Sequence, residues 1–205
     1  MADHKYIIPF ILKWEGGLSS DAGDTAAAHQ VPDGSGNHTN KGVTWKVWEF
    51  VFGNSAESVK RFYAMSSGDW GQIFKPLFWD KMGGDKIKSQ RIADVLVNWA
   101  WAAGTSAPSK AIQKIVGVTP DGIIGNQTIQ AINSSNELDI FTKLKAKNIS
   151  FFNNLASKPQ YRKFKNDWAK RLTDLFTNYI TKIKTNSVLT FALIGVLAWI
   201  IIKNK

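Results

Sequence analysis

Apolar residues recur at helical spacing along most of the chain, and short stretches rich in Gly, Pro, Ser and Asp interrupt them. Ile7, Ile8, Ile11 and Trp14 stand at i, i+1, i+4 and i+7, one face of a helix. Pro9 either kinks that helix or sits in its first turn, and Gly16 or Gly17 ends it. Residues 18–44 lose the period and are rich in Gly, Ser, Asp and Ala. A loop this long in a compact domain is usually functional or disordered. The pattern leaves room for a small β element within it. The helical pattern then resumes over 45–52 with an aromatic face, and over 55–63 with Asn54 or Ser55 as cap. Gly83-Gly84 closes an aromatic run over 77–82. Residues 89–103 predict a buried helix with Ile92, Val95, Leu96, Trp99 and Ala103 on one face. Asp94 and Asn98 project together from it, as a buried polar pair, a substrate contact or surface groups. Further helices are predicted over 108–116, 127–132 (capped by Asn126), 138–155 and 161–183, the last two parted by Pro159. Thr119-Pro120-Asp121-Gly122 reads as a turn. With no internal repeat and no sustained strand alternation, the expected fold is mainly α.

The C-terminus differs in kind. Residues 188–202 run for fifteen positions without a charge, between Lys182 and Lys184 on one side and Lys203 and Lys205 on the other. Such a helix covers roughly 22 Å, against about 30 Å of hydrocarbon. Ser187, snorkelling lysines and local thinning can supply the difference, and Trp199 suits an interface. A transmembrane or membrane-anchoring helix over 187–202 is therefore expected. A helix docked on the folded domain is the alternative, but one without a polar face is hard to place there.

At 205 residues the chain can bury one sizeable core or two small ones, and without cysteine it needs no disulfide. Nine tryptophans are the outlier. Indoles fill cores and also stack on sugar rings, and core positions are expected for most. The net charge of +10 is unevenly placed. Residues 1–140 hold 13 basic and 14 acidic side chains, whereas 141–205 hold 13 and 2. That end can face nucleic acid, anionic lipid or anionic cell-wall polymer, or form a solvated face beside a membrane anchor. No nucleic-acid motif accompanies it, so nucleic acid is not an expected partner. No secretory signal pattern is visible near Met1, where Pro9, Lys13 and Glu15 interrupt the apolar run.

Candidate chemistry gathers at Trp14-Glu15-Gly16-Gly17 and the loop it opens, which carries Asp21, Asp24, His29, Asp33 and His38. Cleavage of a sugar bond needs one carboxyl that holds a proton and a second group that stays ionised or positions water. Glu15 falls in the last turn of a helix, where the negative dipole end disfavours a carboxylate and suits a proton-bearing group. Its plainer role is a surface cap. Asp21 and Asp24 are the candidates for the second carboxylate, and turn formation is their plainer role. The histidines and aspartates match no zinc or calcium spacing, so no metal and no cofactor are expected.

The segments Trp14-Glu15-Gly16-Gly17 and Thr39-Asn40-Lys41-Gly42-Val43-Thr44 resemble the N-terminal signature of glycoside hydrolase family 108. That family includes phage endolysins and secretion-activator-like N-acetylmuramidases, and its Glu-Gly-Gly glutamate falls on Glu15. Its usual Gly-Gly before the threonine is missing here, where the loop is longer and reads Asp21-Ala22-Gly23-Asp24. Phage lysozymes of another family also place an aspartate nine residues after the glutamate, as Asp24 stands to Glu15. Asp94, Asn98, Gly104, Ala111, Gln113 and Asp121-Gly122-Ile123-Ile124-Gly125 resemble the peptidoglycan-binding region that follows in the family. Phe164, Trp168 and Arg171 resemble its closing pattern, with Asp167 where glycine is usual. The resemblance covers about residues 4–176, and the apolar tail is not part of it.

The resemblance implies a lysozyme-like globular domain: a catalytic half over 1–85, a helical peptidoglycan-binding-like half over 86–184, and the tail. Without a flexible linker, one compact unit is expected, and a monomer. The implied reaction is hydrolysis of the β-1,4 bond between N-acetylmuramic acid and N-acetylglucosamine. Glu15 would be the acid, Asp24 or Asp21 the assisting carboxylate, and Thr39, Asn40, Asn98 and Trp99 substrate contacts. A carboxyl separation of about 5–5.5 Å would indicate retention and about 6.5–9.5 Å inversion. A lytic transglycosylase and a non-catalytic, membrane-anchored wall-binding protein are the alternatives. The implied partner is bacterial peptidoglycan, with the membrane reached through 187–202. The implied place is the inner membrane or periplasm, or release at lysis for a phage-encoded protein.

Overall fold

Helices carry most of the chain, and one two-stranded hairpin interrupts them among the residues the computed structural model describes, 1–183. Residues 187–202, the expected tail helix, lie outside the described residues. No described helix is long and apolar enough to cross a membrane.

Helix α1 (Ile8–Trp14) takes Pro9 into its first turn, where the missing N–H costs no hydrogen bond. Ile7 and Ile11 are buried, as the spacing predicts. The helix stops at Glu15, whose N–H still bonds Ile11 O at 3.1 Å while its ψ of 135° turns the chain out. The expected left-handed glycine cap does not form: Glu15 itself is the cap, in extended conformation, and neither Gly16 nor Gly17 has a positive φ. Beyond it, the loop is pinned by an antiparallel bridge between Ser19 and Thr39.

Strands β1 (Thr39–Asn40) and β2 (Val43–Thr44) form the hairpin. Lys41 at φ 47° and Gly42 at φ 76° both occupy the left-handed region, the twist a two-residue hairpin turn requires. Thr44 caps α2 (Trp45–Phe52), and Ser55 rather than Asn54 caps α3 (Ala56–Tyr63). Phe62 meets Trp45 and Trp48 edge-on, with centroids 5.2 and 5.5 Å apart. Helix α4 (Ser67–Phe74) begins with a reciprocal Ser66–Asp69 capping box and runs into a π-helical turn, Lys75–Trp79.

Helix α5 (Gln90–Ala103) is the central strut: every residue from Ile92 to Ala100 is buried. Asp94 lies inside it and accepts from Gln90 Nε2 at 2.8 Å, a structural use. Five tryptophans, 45, 48, 70, 79 and 99, are at most 2% exposed, so most of the described indoles are core residues. Helices α6 (Ser106–Val116), α7 (Asn126–Ser134) and α8 (Glu137–Ala156) follow. Gly125, not Asn126, holds the cap position of α7. A 3₁₀ turn, Pro159–Phe164, leads into α9 (Lys165–Ile183).

The absence of a linker predicts one unit, but the chain divides into two, Met1–Asn148 and Ile149 onward. The boundary falls inside α8, and a continuous helix gives no Gly- or Pro-rich signal in the sequence. In the second unit Trp168 gathers Phe152, Tyr161 and Phe164 within 6.2 Å between centroids.

Candidate active site

Glu15 leaves α1 half-buried, and its carboxyl is held on two sides. The Trp101 indole N–H on α5 donates to Oε1 at 2.9 Å. Gly42 stands against the other oxygen: a Cβ there would come 2.3 Å from Oε2 and 2.7 Å from Cδ. Position 42 therefore needs glycine twice, for its positive φ and for the space the carboxyl occupies.

The hairpin tip is fixed by three hydrogen bonds. Lys41 Nζ donates to Met65 O at 2.6 Å, Trp70 Nε1 donates to Lys41 O at 3.2 Å, and Asn40 Nδ2 donates to Phe62 O at 2.7 Å. Trp101 packs in an aromatic group with Trp70 at 5.0 Å, Phe78 at 4.7 Å and Phe74 at 5.8 Å between centroids. A cavity of about 360 Å³ opens over Glu15, lined also by Gly16, Lys41, Ser66, Ser67 and Trp70. Among the described residues, Glu15 is the one carboxylate in that lining. Ser66 is held by Asp69, which in turn takes Arg61. Burial works against the Asp69 charge, but the hydrogen bonds from Arg61 and Ser66 outweigh it and hold the carboxyl below the ordinary range.

A second cavity, about 340 Å³, lies by Ser89, Asn133 and Glu137. Its carboxylate is committed: Glu137 accepts from Arg91 at 2.7 Å and from Ser89 at 2.5 Å. In the cavity over Glu15, by contrast, the acid meets the Trp101 N–H and stands against Gly42.

Residues 8–104 match the glycosyl hydrolase 108 family, and residues 107–173 match a predicted peptidoglycan domain. The chain thus carries a glycosyl hydrolase 108 domain followed by a predicted peptidoglycan domain. The structure of Brucella abortus SagA is similar in fold, with a TM-score of 0.69 at 20% identity over 86% of this chain and 93% of that one. No curated protein matches the chain.

Within the glycosyl hydrolase 108 region, the other sequence candidates take positions that build the scaffold. Asp21 accepts from Gly23 N at 2.8 Å, and Asp24 accepts from Ala26 N at 2.9 Å as cap of a short 3₁₀ turn, Thr25–Ala28. Neither lines the cavity. His38 is fully buried. Its Nε2 meets the Asp21 carbonyl at 3.1 Å and its Nδ1 meets the Thr39 hydroxyl at 2.9 Å. A carbonyl only accepts, so Nε2 carries a hydrogen and donates it to the Asp21 carbonyl. His29 pairs with Glu49 at 2.6 Å on the surface. Asn40, Asn98 and Trp99 are all at most 5% exposed, and none lines the cavity.

Gln113, in the predicted peptidoglycan domain, organises the Asp121-Gly122 turn. Its Nε2 donates to Asp121 Oδ1 at 2.7 Å and Ile123 O at 2.9 Å, and its Oε1 accepts from Gly122 N at 2.9 Å.

Sequence reasoning missed two residues of the site, Gly42 and Trp101. Asn-Lys-Gly between strand-prone residues was a usable signal for Gly42, since it marks a tight hairpin. Trp101 had none, because its bond to Glu15 spans 86 positions.

Proposed function

We propose that this glycosyl hydrolase 108 protein is a peptidoglycan hydrolase, an N-acetylmuramidase that cleaves the β-1,4 bond between N-acetylmuramic acid and N-acetylglucosamine. Glu15 is the general acid. The observation that carries the reading is a single carboxyl framed by Trp101 and Gly42 on the wall of an open cavity. The family match supports a glycosidic substrate, and the match over 107–173 supports a cell-wall polymer.

In this reading Glu15 gives its proton to the bridging oxygen as the bond to the anomeric carbon breaks. Water then adds to that carbon and a proton returns to Glu15. Such acid catalysis contributes about 10²–10⁴-fold. Asp21 and Asp24 shape the loop beside the site.

One observation favours a second reading. With Glu15 the one carboxylate in the lining among the described residues, a lytic transglycosylase, which needs a single acid, fits the same cavity. There the sugar's own C6 hydroxyl attacks the anomeric carbon and the product is a 1,6-anhydro sugar. Digestion of purified peptidoglycan in ¹⁸O-water, with products identified by mass, tests the proposal. Labelled reducing-end muramic acid is the expected product. Unlabelled anhydro-muramic acid would establish the transglycosylase, and binding to the wall without any product would overturn both.

A further inference from the structure

Resting on the assignment of Glu15 as the acid, we infer that Trp101 is its positioning residue: the indole N–H fixes the orientation of the carboxyl at the cavity wall. A glutamate carboxyl turns readily about its last bond and can offer either oxygen. Here Oε1 is taken by the Trp101 N–H at 2.9 Å. An indole N–H only donates, and a carboxyl oxygen can accept from it whether the group is protonated or ionised. The other oxygen, Oε2, stands beside Gly42. The bond to Trp101 can therefore persist before and after proton transfer, so this contact need not reorganise.

The donor is itself packed against aromatic neighbours. Trp70, Phe74 and Phe78 surround the Trp101 ring with centroids 4.7–5.8 Å away. Trp70 also donates to the Lys41 carbonyl. One aromatic group thus fixes both the ring that holds Oε1 and the hairpin that carries Gly42 against Oε2. The geometry of the acid is set from α5, and the cavity wall is set from the hairpin, through a shared support.

Trp101→Phe removes the N–H and keeps an aromatic ring. Site-specific replacement of Trp101 by 3-benzothienylalanine removes the N–H alone at nearly constant ring volume. Both are assayed at steady state on soluble glycan fragments, beside Glu15→Gln, with thermal unfolding as the check on folding. The benzothienyl variant is expected to unfold like wild type, with kcat reduced on the order of 10- to 100-fold and KM unchanged. A wild-type kcat in that variant, or a raised KM with kcat intact, would overturn the positioning role. Full activity in Glu15→Gln would overturn the acid assignment instead, so the two failures are told apart.

Discussion

Glu15 and Gly42 depend on each other. The carboxyl occupies the space where any other residue at 42 would carry its Cβ, and the hairpin keeps its twist through the positive φ of Lys41 and Gly42. Gly42→Ala is expected to destabilise the fold by about 1–2 kcal/mol from the left-handed backbone alone and to displace the Glu15 carboxyl. Melting temperature and activity should therefore fall together, and an active, wild-type-stable Gly42→Ala would refute the packing described. At this scale the sequence made part of the site legible. A lone glutamate at a helix end before two glycines was visible. The roles of Thr39, Asn40, Asn98 and Trp99 were not. Their types suit sugars, yet Asn40 is spent on the Phe62 carbonyl and Asn98 and Trp99 are packed within α5. Residue type reports what a side chain can bind, and only packing decides what it does bind.

The elements were more legible than the contacts between them. Apolar spacing located the helices to within a few residues, because helical period and burial agree along α5 and α1. The hairpin was visible only as room for a β element, since two-residue strands are too short to show alternation. The Asp121-Gly122 turn was visible as a turn, but its support was not, because Gln113 lies a helix away. That support makes a test at the same scale. Gln113→Ala removes the partner of the Gly122 N–H and of the Ile123 carbonyl at a part-buried turn, a loss on the order of 1–3 kcal/mol. Hydrogen exchange should quicken at Gly122 and Ile123 while Trp101 and its neighbours stay protected. Unchanged exchange at those two amides would show that the turn stands without Gln113.

Over the whole molecule, charge sets two behaviours. Asp69 and Glu137 both lie below the ordinary carboxyl range. Burial opposes each charge, and donors outweigh it: Arg61 and Ser66 for Asp69, Arg91 and Ser89 for Glu137. A carboxylate depressed in the folded state adds stability that is fully present above its unfolded value, near 4. That stability is lost as pH falls through the folded value. Melting temperature should thus hold from about pH 6 to 5 and drop below about 4, with a smaller drop in Asp69→Asn. A melting temperature that rises on acidification would contradict these pairings. The 13 basic and 2 acidic residues of 141–205 also favour an anionic polymer, an attraction that salt screens.

If Glu15 is the acid of a peptidoglycan-cleaving site, as proposed, its amide should lose the reaction. The most direct measurement is the rate of release of soluble fragments from purified peptidoglycan by the full chain and by Glu15→Gln, which keeps the side chain's size and can still accept the Trp101 N–H. A fall of about 10²–10⁴-fold is expected, with the melting temperature unchanged. A Glu15→Gln protein that releases fragments at the wild-type rate would contradict the proposal.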